Sequence, residues 1–100
     1  MAKVANIRGI GDYLRTKWLE PFGLSYNELA KAIGVQPNRI NDIANGNRGI
    51  TMDTDLRLCK YFGIADGSFL RVQEQIERAA VKQALANKLN KITSIKKSKN

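Results

Sequence analysis

One hundred residues with 43% apolar content suffice for one small domain with a real core. One cysteine and no histidine exclude an internal disulfide framework and any Ser–His or Cys–His catalytic pair, and argue against a zinc site. The formal net charge of +8 is uneven: residues 1–77 carry ten Lys/Arg against nine acids, whereas residues 78–100 carry seven Lys/Arg and no acid.

Residues 1–9 show no sustained period and read as an arm. A first helix is expected from about Gly11 to Glu20, with Tyr13, Leu14 and Trp18 as its apolar stripe, Asp12 near its positive end, and Pro21 and Gly23 closing it. Ser25 and Glu28 have the spacing of a capping box, so a second helix is expected over about 26–33, with Leu29, Ala30 and Ile33 on its apolar face. Gly34 ends it, because glycine takes the left-handed conformation without steric cost. Pro37 suits a first helical turn, and Ile40, Ile43 and Ala44 give a third helix over about 37–45 its stripe. Two short amphipathic helices joined by a glycine turn are the pattern of a helix-turn-helix.

Asn45–Ile50 is a turn rich in glycine and asparagine. Thr51 is placed to cap a fourth helix, with Leu56, Cys59 and Phe62 repeating every three residues, Leu58 and Tyr61 in support, and Gly63 as its stop. Cys59 reads as a core residue. Asp66 is the expected cap of a fifth helix starting near Gly67, whose first stripe is Phe69, Val72, Ile76 and Ala80. Val81, Leu85, Leu89 and Ile92 continue on a shifted face, so this helix is expected to reach about residue 90. The last ten residues, with four lysines, read as a frayed basic tail. The whole is an all-α chain: an arm (1–9), a five-helix helix-turn-helix domain (10–76), a helical extension (77–90) and a basic flexible tail (91–100).

With the apolar stripe of the third helix turned inward, its other face presents Gln36, Asn38, Arg39, Asn41 and Asp42. Gln and Asn bridge adenine, and Arg bridges guanine N7 and O6, in the major groove of double-stranded DNA. Asp42 is expected to orient Arg39, three residues earlier on the same face. Arg48, between Gly46 and Gly49, reads as a phosphate contact, and Ser25 and Tyr26 at a helix N-terminus as further phosphate neighbours. The stripe of Val81, Leu85, Leu89 and Ile92 is too much apolar surface for a lone helix to leave in water, so it is expected to pack on a second copy or on another protein. No paired carboxylates, phosphate-cradling loop or dinucleotide fingerprint occur, so no catalytic residue, metal or cofactor is expected. No run approaches the roughly 20 apolar residues of a membrane span, and the N-terminus lacks a signal-peptide core. A cytoplasmic location without a membrane partner is expected.

Leu19-Glu-Pro-Phe-Gly-Leu-Ser25 resembles the Leu-x-Pro-x-Gly-Leu-Ser element of HigA-type antitoxins. Asn45-Gly-Asn-Arg-Gly-Ile-Thr51 resembles their Asn-Gly-x-Arg-Gly-Ile-Ser/Thr turn, and Phe69-Leu-Arg-Val-Gln73 their Trp-Leu-x-Leu-Gln. The resemblance covers about residues 10–76 and implies a Cro/phage-repressor type of helical fold. It further implies a homodimer on a palindromic operator that represses its own operon, and a RelE-like mRNA-cleaving toxin as a neutralised partner. The family's DNA-contacting positions fall on Gln36, Pro37, Asn38, Arg39 and Asn41, with Arg48 in the following turn. The sequence departs from the family at Gly9-Ile10, Pro37, Asp42 and Asp55, and beyond residue 77 it matches no element of it. A phage- or plasmid-type repressor without a toxin, and a helical protein-interaction module, are the alternative readings.

Overall fold

Capping residues start and stop two of the helices, those of residues 26–33 and 52–62. The computed structural model describes residues 9–98, and every regular element among them is helical. They are α1 (Ile10–Tyr13), which runs on as a π-helical segment (Leu14–Leu19), α2 (Tyr26–Ile33), α3 (Pro37–Ala44), α4 (Met52–Phe62), α5 (Ser68–Ala84), α6 (Ala86–Asn90) and α7 (Ile95–Ser98). Apart from Gly9, the arm expected over residues 1–9 lies outside the described residues, as do residues 99–100 of the expected tail.

The capping box at α2 is complete. Ser25 Oγ accepts from the Glu28 N–H at 3.0 Å, and Glu28 Oε1 accepts from the Ser25 N–H at 2.9 Å. Such a cap stabilises a helix by about 1 kcal/mol. Gly34 ends α2 at φ 74°, and Pro37 opens α3 where its missing N–H costs nothing. Thr51 Oγ1 caps α4 by accepting from the Thr54 N–H at 3.3 Å.

The core joins α1, α2, α3, α4 and α5 through Leu14, Leu29, Ile40, Ile43, Leu58, Cys59 and Phe69, all fully buried. Burying each large aliphatic or aromatic side chain contributes about 1.5–3 kcal/mol. Ala30 is fully buried where α2 and α3 pack together. Gly11 lets α1 approach the end of α3: a Cβ there would stand 2.3 Å from the Ile43 carbonyl oxygen. Trp18 lies 4.6 Å from Phe62 and 5.8 Å from Phe69, ring centre to ring centre, and closes the core on the side of the Pro21–Gly23 turn.

Four sequence expectations are corrected. The first helix widens into a π-turn, in which the Glu20 N–H bonds the Arg15 carbonyl five residues back. That widening brings Leu14 and Leu19, five apart, both into the core, whereas Tyr13 and Trp18 are only half-buried. On α4 the buried face is Thr54, Asp55, Leu58 and Cys59, so Leu56 and Tyr61 are exposed rather than part of the stripe. Asp66 does not cap α5. Gly67 occupies that position with φ 87°, and the buried Asp55 carboxylate accepts from the N–H groups of Gly67 (2.7 Å), Phe69 (3.0 Å) and Leu70 (3.1 Å). Finally, the fifth helix does not run unbroken to residue 90. It ends at Ala84, and Leu85 (φ −96°, ψ 4°) joins it to α6.

Beyond Ile76 the chain leaves the core. Val81, Leu85, Leu89 and Ile92 are 54%, 37%, 40% and 70% exposed, and the described part of the molecule measures 56 × 25 × 25 Å.

Candidate nucleic-acid interface

The two faces of α3 differ completely. Ile40, Ile43 and Ala44 are buried, while Gln36, Pro37, Asn38 and Asn41 are exposed. The rigid α2–turn–α3 unit therefore holds its polar side chains outward on a helix that cannot roll, because its apolar side is fixed. Arg39 lies at the edge of this face with a third of its side chain accessible.

Arg39 is held from outside α3. Its Nη1 donates to Asp53 Oδ1 at 3.2 Å and to Thr54 Oγ1 at 3.4 Å, both in the first turn of α4. Asp53 Oδ1 also accepts from Arg57 Nε at 2.7 Å. The Arg57 hydrogen bond and charge, with Arg39 adding to both, lower the Asp53 pKa below the ordinary carboxylate value. Arg57 in turn donates from Nη1 to the carbonyls of Ile33 (2.8 Å) and Gly34 (3.3 Å), satisfying the end of α2. The expected Asp42–Arg39 pair does not form. Asp42 faces Arg48 instead, at 3.5 Å, because the turn after α3 folds Arg48 back toward the helix while α4 offers Arg39 another acid.

The 45–51 turn is fixed by a side chain of α5. Gln73 Oε1 accepts from the Ile50 N–H at 2.7 Å, and Gln73 Nε2 donates to the Ile50 carbonyl at 2.9 Å. This paired amide contact ties α5 to the turn that carries Arg48, which remains exposed. Ser25 is exposed with its oxygen engaged as the α2 cap, and Tyr26 is half-buried against the core.

Sequence reasoning assigned no site role to Asp53, Arg57 or Gln73. The four-residue spacing of Asp53 and Arg57 was a signal for their pairing. No local signal connects Asp53 to Arg39 or Gln73 to Ile50, which are 14 and 23 residues apart. Val81, Leu85, Leu89 and Ile92 belong to the projecting extension and not to this surface. Among the described residues no helix is long and apolar enough to cross a membrane.

Comparison with known proteins agrees with this architecture. Residues 17–67 match the helix-turn-helix family. Virulence-associated protein I of Dichelobacter nodosus is 52% identical over 63 residues, which cover 63% of this chain but only 58% of that protein's length. Virulence-associated protein A of the same organism is 31% identical over 93 residues, covering 92% of this chain and 91% of that protein. The solved structure of the Pseudomonas aeruginosa antitoxin HigA with the higBA promoter is similar at a TM-score of 0.77 and 28% identity, covering 87% of this chain and 96% of that one. The chain thus belongs to the helix-turn-helix family of Cro/repressor type, and its all-helical fold is that of the HigA antitoxins.

Proposed function

We propose that this chain is a sequence-specific DNA-binding antitoxin that represses its own toxin–antitoxin operon as a homodimer and neutralises a RelE-like toxin. The observation that carries the DNA reading is the outward face of α3: Gln36, Asn38 and Asn41 free, Arg39 at its edge, and the opposite face locked in the core. In this reading the α3 side chains meet base edges in the major groove and Pro37 packs at the entry of the helix. Arg48 meets phosphate, and Ser25 and Tyr26 lie beside it at the α2 N-terminus. That the similar P. aeruginosa antitoxin HigA is seen with the higBA promoter supports a DNA-binding role here.

Two copies pairing through Val81, Leu85, Leu89 and Ile92 would carry two α3 helices into successive major grooves, one duplex turn of roughly 34 Å apart. Occupying a palindromic operator in this way blocks transcription. The toxin partner rests on the resemblance to HigA proteins, and the exposed extension is one apolar surface this chain has to offer it. Such a protein acts in the cytoplasm and carries no catalytic site.

Footprinting on the DNA upstream of its own coding sequence tests the reading, together with co-purification with the neighbouring gene product. A protected near-palindrome and a co-purifying small basic protein are expected. Protection without a partner would leave the plain repressor, and no protection at any salt concentration would remove the DNA role.

A further inference from the structure

An acid on a surface that meets phosphates weakens binding unless it does something else there. Asp53 is such an acid, exposed in the first turn of α4 beside α3. It is held in place: Arg57 Nε grips Oδ1 at 2.7 Å, and Arg57 is itself anchored on the Ile33 and Gly34 carbonyls at 2.8 and 3.3 Å. A fixed chain of contacts therefore runs from the end of α2 through Arg57 and Asp53 to Arg39 Nη1 at 3.2 Å, with Thr54 Oγ1 at 3.4 Å from the same nitrogen. Among the described residues only Nη1 is engaged, so the Nε and Nη2 hydrogens of the Arg39 fork remain for a ligand. Guanine presents two acceptors, N7 and O6, at a spacing that a guanidinium edge bridges.

We propose that Asp53 is a specificity-determining positioning residue of the DNA surface. It holds the Arg39 fork for a guanine edge, and its charge discourages Arg39 from settling on a phosphate. The proposal rests on the DNA reading above. Orientation strengthens binding at the right base, and repulsion weakens binding everywhere else, so both effects raise the ratio of specific to non-specific affinity.

The test titrates the full chain, wild type, Asp53→Asn, Arg39→Gln and the double variant, against DNA from upstream of its own gene and a random duplex of equal length. For the wild type a clear preference for the upstream DNA is expected. A wild type without that preference removes the DNA reading and this inference with it. Given the preference, Asp53→Asn is expected to lower the upstream-to-random affinity ratio about tenfold, within the range of one bidentate base contact. It does so by weakening upstream binding and strengthening random binding. In the Arg39→Gln background the same substitution is expected to change the ratio less than about twofold. An unchanged ratio in Asp53→Asn, or the same fall in both backgrounds, overturns the positioning role while leaving the DNA reading standing.

Discussion

The body of the molecule, from α1 through the start of α5, and its projecting extension, from Val81 to Ile92, are both helical and amphipathic, yet only one is packed. In the body each apolar stripe meets another, as Leu14, Leu29, Ile40, Leu58 and Phe69 show by being fully buried. In the extension the stripe of Val81, Leu85, Leu89 and Ile92 lies outside the buried core and stays 37–70% exposed among the described residues. Helical periodicity alone therefore does not say whether a face is finished. The body is stabilised by its own contacts, and the extension has its apolar surface available for another molecule.

Substitutions should separate the two regions. Ile40→Ala removes a fully buried side chain at the α2–α3 contact and is expected to cost about 3 kcal/mol. A fall in the thermal midpoint of more than about 10 °C would register it. Asp55→Ala strands the N–H groups of Gly67, Phe69 and Leu70 at the buried start of α5, and about 2–3 kcal/mol of lost stability is expected by denaturant titration. Ser25→Ala deletes the α2 cap and should cost about 1 kcal/mol in the same assay. In the extension, Leu85→Lys with Leu89→Lys should change the stability of an isolated copy by no more than about 0.5 kcal/mol, since both sites are already exposed. Its expected effect is on assembly: light scattering should show a smaller particle than the wild type. A loss of stability as large as that of Ile40→Ala would mean that the extension folds back on the body.

What was legible in the sequence was local. Ser25 with Glu28, Gly34, Thr51 and Gly63 announce helix ends within four residues of their partners, and each does what its spacing implies. The inward stripe of α3 and its polar counterface were equally readable, because periodicity is itself a local signal. The π-turn of the first helix and the break at Leu85 left no pattern in the periodicity, and the remaining errors lie where a partner is distant or where a polar residue fills an apolar position. Asp55 is buried because three N–H groups 12–15 residues on need its carboxylate, and that shifts the buried face of α4 away from Leu56. Asp42 looked like the neighbour of Arg39 at helical spacing, but Asp53 reaches Arg39 from another helix. Gln73 is one residue in an amphipathic helix until Ile50 is seen opposite it.

In the function proposed, Arg39 and Arg48 divide the labour on DNA, one reading sequence and the other holding the backbone. Salt-dependent binding titrations of Arg39→Ala and Arg48→Ala on the upstream fragment and on random DNA test it most directly. Arg39→Ala is expected to weaken upstream binding far more than random binding. Arg48→Ala should weaken both alike and lower the log–log salt slope by about one. Equal losses for the two variants on every DNA, with unchanged salt slopes, would contradict it.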